Sequence, residues 1–345
     1  MDKSNVCVVG AGIIGLSSAV RVQESGPSVR VTVIADKFSP STTGDGSPGT
    51  WKPHLLNEDQ ADLIREWSEE TFEHLLTLQR SPLAGKLGVQ LLSGYNFSQA
   101  AQNPSWKTKV FGFRNIRDDE LKICPDLKYE NTKRGVFYTT LSIDVKSYLS
   151  WLQERFVANG GLLEERKINQ LEQLFYDYDV IVNCTGIGSH DLVGDRELTP
   201  VRGQLMKVEA PWIKYFIIRQ DPKDDTNEVF IFPGRDVVTL GGTAQVGNWN
   251  PDIDPVDAES IWKNCLALMP SLKDAKVLNN WVGFRPKRTH VRLEMETRQT
   301  DGRNKMIVHN YGHSGSGVTL HWGCAGHAAI LVREAVHFME SKSKL

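Results

Sequence analysis

Three glycines near the start of the chain have a spacing that can do chemistry. Gly10-Ala11-Gly12-Ile13-Ile14-Gly15 follows a short β-branched run at residues 5–9 and opens a helical stretch that reaches about residue 24. In such a turn the first glycine allows the tight bend, the second lets an anion approach the backbone, and the third lets helix pack on strand. The free N–H groups and positive dipole end of the helix then face that anion. Asp36 closes the next strand-like run, 29–35, roughly 20 residues after the last glycine, where its carboxylate can accept from both hydroxyls of a ribose. Together these features point to a dinucleotide containing ADP. They explain the apolar run 6–20 better than a leader peptide does. His309 and His313 are four residues apart, a metal-ligand spacing on a helix, but Gly312, Gly315 and Gly317 oppose a helix there, so no metal site is expected. The five cysteines are scattered, with no CxxC, which argues against zinc and against a disulfide framework. They read as small buried apolar residues in a reducing compartment.

The elements that must hold these groups follow from pattern. The strand–helix–strand start implies a parallel sheet. Residues 39–49 are rich in Gly, Ser, Thr and Pro and form a loop. Residues 57–79 carry Leu63, Ile64, Trp67, Phe72 and Leu75 at helical spacing, and 145–159 repeat that pattern. Residues 178–186 are a buried strand running into Thr185-Gly186, 201–208 and 237–243 are strands of a second sheet, and a glycine-rich turn at 313–317 starts a helix to about 340. Residues 85–140 are mixed. For 345 residues about two domains are expected. The interleaved pattern predicts an α/β chain in which one domain is assembled from the beginning, the middle and the end of the sequence. A net charge of -2, with acids and bases mixed, asks for neither nucleic acid nor an anionic membrane surface. No run of about 18 apolar residues predicts a transmembrane helix.

The glycine motif does not choose between FAD and NAD. A motif at the N-terminus paired with a late glycine-rich segment favours FAD, whose long flavin needs a second region to hold its ring. With VVGAGIIGLSSA, ADKFSPSTTGD, IVNCTG, VRGQ, GFRP and HNYGHSGSGVTLHWG in this order, the whole chain resembles the D-amino acid oxidase and D-aspartate oxidase family. The resemblance implies non-covalent FAD, held by a discontinuous Rossmann-like domain from 1–50, 141–196 and 281–345, and a substrate-binding domain with a large mixed or antiparallel sheet from 51–140 and 197–280. Gly10, Gly12, Ile13, Ile14 and Gly15 would cradle the pyrophosphate, Asp36 and Lys37 would meet the adenosine, and Thr42, Thr43 and Gly44 would form a further FAD loop. Ile168, Thr185, Gly186 and Gly283 would add FAD contacts. Gly315, Ser316, Gly317, Val318 and Thr319 would lie near the flavin ring, where N–H groups can stabilise the charge of reduced flavin. Arg285 would grip the substrate α-carboxylate, a task suited to a planar, bidentate guanidinium. The implied reaction is hydride transfer from a D-amino acid Cα to flavin N5. It gives a 2-oxo acid and ammonia, and oxygen reoxidises the flavin to yield hydrogen peroxide; no side-chain base at Cα is implied.

The chain departs from the family at the substrate. Phe230 stands where a tyrosine hydroxyl is expected beside the arginine, and no lid tyrosine occurs around Thr226. At positions where D-aspartate oxidases carry extra arginines this chain has Ile218 and Ala244, which argues for neutral substrates. Arg219, Lys52 and His54 could instead supply a cation for D-aspartate or D-glutamate. Two rivals are a glycine or sarcosine oxidase and a non-catalytic dinucleotide-binding protein. Ser343-Lys344-Leu345 is the tripeptide read by the peroxisomal import receptor, so a peroxisomal location is expected. The sequence leaves open whether the chain is a monomer or a homodimer.

Overall fold

The structure, a computed structural model, describes residues 3–26, 29–53, 58–98, 104–123, 134–221, 224–300 and 303–342. His54, the side chain of Thr226 and Ser343-Lys344-Leu345 lie outside the described residues. In chain order the strands are β1 (Ser4–Val9), β2 (Val29–Ala35), β3 (Gln90–Ser98), β4 (Phe111–Asn115), β5 (Arg134–Ser142), β6 (Leu162–Glu165), β7 (Val180–Asn183), β8 (Thr199–Glu209), β9 (Phe216–Asp221), β10 (Asp224–Pro233), β11 (Val238–Gly241), β12 (Gln245–Val246), β13 (Lys276–Thr300) and β14 (Arg303–His313). The α-helices are α1 (Ile13–Glu24), α2 (Ala61–Gln79), α3 (Ala84–Leu87), α4 (Val145–Ala158), α5 (Ser189–Leu192), α6 (Pro255–Leu268) and α7 (Gly317–Lys342).

The strands join one continuous mixed sheet in the order β4-β5-β3-β9-β10-β11-β8-β13-β14-β7-β1-β2-β6, with β12 added on β8. One end, β14-β7-β1-β2-β6, is parallel. Val6, Val8, Val33, Val180 and Val182 there are fully buried, as strands covered on both faces require. Helices α1 and α7 pack on each other beside it. The run β13-β8-β11-β10-β9 is antiparallel. Side-chain alternation divides its two faces. Leu205, Phe216, Ile218, Phe230 and Phe232 belong to the main core, while Met206, Val208, Ile217, Ile231 and Leu240 pack with α6 on the other face.

β13 links the two kinds of sheet. Its first half pairs with β8, from Lys276↔Glu209 to Lys287↔Thr199, and its second half pairs with β14. Its 25 residues alternate charged and apolar types over a long exposed ribbon. Neither β13 nor α6 was evident from the sequence pattern, because neither carries a compact apolar run. The expected elements at 29–35, 57–79, 145–159, 178–186, 201–208, 237–243 and the C-terminal helix are all present, within a few residues at their ends, but 201–208 and 237–243 do not form the second sheet expected of them: through β13 and β14 they join the same sheet as the parallel strands.

Candidate active site

Three parallel strands set out the cofactor end. Val9 is in register with Ile34 and with Asn183, so β1, β2 and β7 finish side by side, and Gly10, Asp36 and Thr185 leave from one sheet edge. Gly10 adopts φ +107, and its N–H donates to Ile34 O at 2.8 Å. A side chain at Gly10 would come within 2.6 Å of the Cys184 carbonyl, and one at Gly15 would run into the carbonyl of Gly10. Gly12 differs: no protein atom lies within 4 Å of the place its Cβ would take. Gly12 is also the N-cap of α1, and no side chain caps that helix. The start of α1 therefore presents N–H groups to a space that the chain itself does not fill.

The other residues expected at the cofactor surround this cradle. Asp45 Oδ2 accepts from Thr42 N at 2.9 Å and from Thr42 Oγ1 at 2.7 Å, which holds the Thr42-Thr43-Gly44 turn. Asp36 and Lys37 are exposed beyond β2, and Ile168 packs beside the buried Cys7, Val9 and Ile34. Thr185 Oγ1 donates to Asn183 Oδ1 at 2.8 Å, and Gly186 follows in a left-handed turn, φ +56. At the C-terminal segment Gly315 is an exposed turn residue, Ser316 is buried and Val318 is half-buried. A Cβ on Gly317 would be 3.9 Å from Ile13 Cγ2, so the first turns of α7 and α1 converge. Thr319 Oγ1 donates to Lys52 O at 2.9 Å and accepts from Lys52 N at 3.1 Å, tying α7 to the segment after the Thr42 loop. In these same segments Ser47 Oγ, Thr50 Oγ1, His313 Nε2 and Ser314 Oγ are buried without a protein partner. Buried polar atoms are seldom left so. Two converging helix starts, an open glycine cradle and unpaired polar atoms fit a flavin dinucleotide.

His309 and His313 are strand residues, not a helical metal pair. Burial pushes the His313 pKa down to about 3, so the ring is neutral. His309 Nε2 lies within hydrogen-bond distance of Glu296 Oε2, 2.9 Å. Among the described residues no cluster of three His, Cys, Asp or Glu could hold a metal ion.

The substrate end lies on the main-core face of the antiparallel sheet. Trp281, Gly283 and Arg285 alternate onto that face of β13, and Gly283 opposes Gly203 of β8. The Arg285 guanidinium lies over Gly203, where any Cβ would sit 2.5 Å from Nη1. Only a glycine leaves that room. Arg285 Nη1 donates to Thr243 O at 3.2 Å, and among the described residues no carboxylate makes an ion pair with the guanidinium. Burial lowers the Arg285 pKa, and the charge of Glu228 partly opposes that shift. A buried, half-satisfied guanidinium calls for an anion.

Phe230 and Glu228 are two apart on β10 and so share this face. Phe230 is in register with Gly241 and Ile218 and packs on Phe232, ring centroids 5.3 Å apart. Lys52 Nζ meets Glu228 Oε1 at 2.7 Å in a pair whose side chains are only 12% and 9% exposed. Lys52 thus reaches the Glu228 side of the sheet, with a carboxylate already on it. Arg219 pairs in register with Val229 on the opposite face, where its charge acts on Cys265. It does not face the site. The residue of β9 next to Glu228 is Gln220, Nε2 to Oε1 3.5 Å.

Behind β8, on the α6 face, Arg202 is buried and bonds Asp257 Oδ2 at 2.7 Å, Gln245 Oε1 at 3.0 Å and the carbonyls of Asn250 and Asp252. Gln204 N donates to Thr243 Oγ1 at 2.6 Å. This network fixes the loop whose Thr243 carbonyl receives Arg285. Glu228 and Thr243 were not singled out from sequence, and Arg202, Gly203 and Gln204 entered only as part of the VRGQ segment, with no role. Period-2 alternation from Phe230 was the signal that would have found Glu228.

An open glycine cradle suits a dinucleotide, and a buried guanidinium bonded to one carbonyl suits a small anion. The comparisons agree. The family model described as "FAD dependent oxidoreductase" matches residues 5–331, so the chain belongs to that family and is FAD-dependent. It is 40% identical to the D-aspartate oxidase of Homo sapiens, with 99% of this chain and 98% of that one covered. It is 34% identical to a D-amino acid oxidase of Dugesia ryukyuensis over 96% of this chain and 98% of that one. Among solved structures it shares its fold with a glycine oxidase from Bacillus cereus, TM-score 0.72 at 19% identity, covering 96% of this chain and 95% of that one.

Proposed function

We propose that the chain oxidises D-amino acids, releasing 2-oxo acids, ammonia and hydrogen peroxide. The observation that carries this is Arg285: a buried guanidinium over Gly203, held by one carbonyl and free of any carboxylate among the described residues, on the sheet face where Glu228 meets Lys52, which is itself bonded to Thr319 at the start of α7. It would take the α-carboxylate, with Thr243 O and the Arg202 network setting its angle. Fixing the carboxylate at one point, with Phe230 and Trp281 as apolar neighbours, leaves Cα free to present one face only, which is the source of stereochemical choice. The apolar wall also keeps water from the reacting carbon. Bound FAD supplies the two-electron acceptor that oxygen regenerates. The names of the curated relatives support this reading over glycine or sarcosine oxidation, since the likeness to glycine oxidase reaches the fold alone.

A preference for acidic substrates is the second reading, favoured by the likeness to human D-aspartate oxidase. The test is peroxide release by purified protein with added FAD on D-Ala, D-Pro, D-Met, D-Asp, D-Glu, glycine, sarcosine and L-amino acids. Peroxide from D-amino acids and none from their L forms is expected; activity confined to glycine and sarcosine would overturn the proposal. The Ser343-Lys344-Leu345 tripeptide supports action in peroxisomes, checked by whether a fluorescent fusion loses its punctate location when those three residues are removed.

A further inference from the structure

The Lys52–Glu228 pair has a consequence for which D-amino acids are accepted. Both side chains lie on the site face and both are nearly closed off from solvent. Lys52 is held from behind: its backbone N and O are both bonded to Thr319 Oγ1 at the start of α7. Glu228 is held on β10 two residues from Phe230 and reached by Gln220 at 3.5 Å. Its charge is felt by Arg285.

The charges of the described residues can be summed. Lys52 and Glu228 cancel, and among the described residues Arg285 remains a cation without a carboxylate. Arg219 is on the far face of the sheet. Lys207 shares the site face of β8 but lies four residues beyond Gly203, roughly 13 Å along the strand, and donates to Thr239 Oγ1 at 2.8 Å. The site thus has room, electrostatically, for one carboxylate. A second carboxylate on the substrate side chain would have to displace Glu228 from Lys52 and leave a buried acid unpaired, a costly exchange.

We propose that the Lys52–Glu228 pair is a specificity device that occupies the cation a second carboxylate would need, and so selects D-amino acids with uncharged side chains. This rests on the reading of the chain as a D-amino acid oxidase. Specificity here comes from a repulsive element as well as an attractive one.

The experiment uses the holoprotein in four forms: wild type, Glu228→Gln, Lys52→Met and the double variant. For each, kcat/KM is measured on D-Ala, D-Met, D-Asp and D-Glu. The dissociation constants of two unreactive acids, butanoate and glutarate, are read from the absorbance change of the bound flavin. Wild type is expected to favour the neutral substrates and butanoate by at least about tenfold, and Glu228→Gln to shift both ratios toward the diacids by about tenfold or more. The double variant, with no cation to offer, should show no such gain. A wild type that prefers D-Asp or glutarate, or a Glu228→Gln protein whose ratios stay put, would overturn the proposal. If Glu228→Gln does not retain flavin, the wild type and the double variant decide on the butanoate-to-glutarate ratio. If no form oxidises any D-amino acid, the functional reading fails, and the same binding ratio still judges the pair.

Discussion

The two ends of the site are built by different means. The cofactor end is made of backbone. Gly10, Gly12 and Gly15 fall within six residues of sequence, and their work is to have no side chain, so that a helix start can face an anion. The substrate end is made mostly of side chains carried by distant elements: Lys52 after the Thr42 loop, Glu228 and Phe230 on β10 and Arg285 on β13, with room left by Gly203 on β8 and a carbonyl from Thr243 beyond β11. The first end is a local property of the chain, and the second exists only once the sheet has closed. Changes at one end should therefore spare the other, and that separation can be tested.

The largest effect is expected at Arg285. Arg285→Leu removes the partner of the substrate carboxylate, worth about 4 kcal/mol or roughly a thousandfold in kcat/KM, while flavin binding, read by absorbance, is retained. Loss of flavin together with activity would break the separation. Next is Arg202→Met on the back of β8, which leaves Asp257 without its ion-pair partner. Urea unfolding should show a stability loss of about 3 kcal/mol, with a raised KM as Thr243 loosens and an unchanged flavin dissociation constant.

The glycines sharpen the comparison within the cofactor end. Gly15→Ala collides with the Gly10 carbonyl, so it should lower both the melting temperature of the flavin-free protein and its flavin affinity. Gly12→Ala meets no protein atom, so the flavin-free protein should melt as wild type does, while flavin affinity falls by about tenfold or more. Phe230→Tyr restores a hydroxyl beside the carboxylate site. A hydrogen bond to a charged group is worth about 1.5 kcal/mol or more, so KM should fall by about tenfold with kcat little changed.

A further effect is on stability and depends on pH. Burial pushes His313 to about 3 and His321 to about 4, below the ordinary 6.5. The unfolded chain takes up these protons first, so stability is level above about pH 6.5 and falls as the pH drops through that value toward 4. Denaturant midpoints between pH 7.5 and 5 should decline on the acid side, and His321→Asn should flatten the decline.

The contrast between the two ends also accounts for what the sequence made legible. The turn at 10–15, Asp36 and the helix beginning near 317 carry their geometry in local spacing, and the structure has them where that spacing puts them. Arg285 was identified by likeness to a family rather than by pattern. Alternation from Phe230 puts Glu228 on the site face but does not show what it meets: its partner Lys52 is far away in sequence and reaches it only through the fold. Arg219 and Gln220 illustrate the same limit. One residue of offset on β9 decides which of them faces the site, and register is set by pairing with β3 and β10, not by composition.

The central claim is that Arg285 holds a D-amino acid against the flavin. Holoprotein mixed without oxygen with D-Ala, and separately with L-Ala, tests it most directly through the absorbance of the bound flavin. The account predicts bleaching by D-Ala alone, and none in Arg285→Leu at the same substrate concentration. A wild-type flavin that keeps its colour with every D-amino acid, or an Arg285→Leu protein that bleaches as fast as wild type, would contradict it.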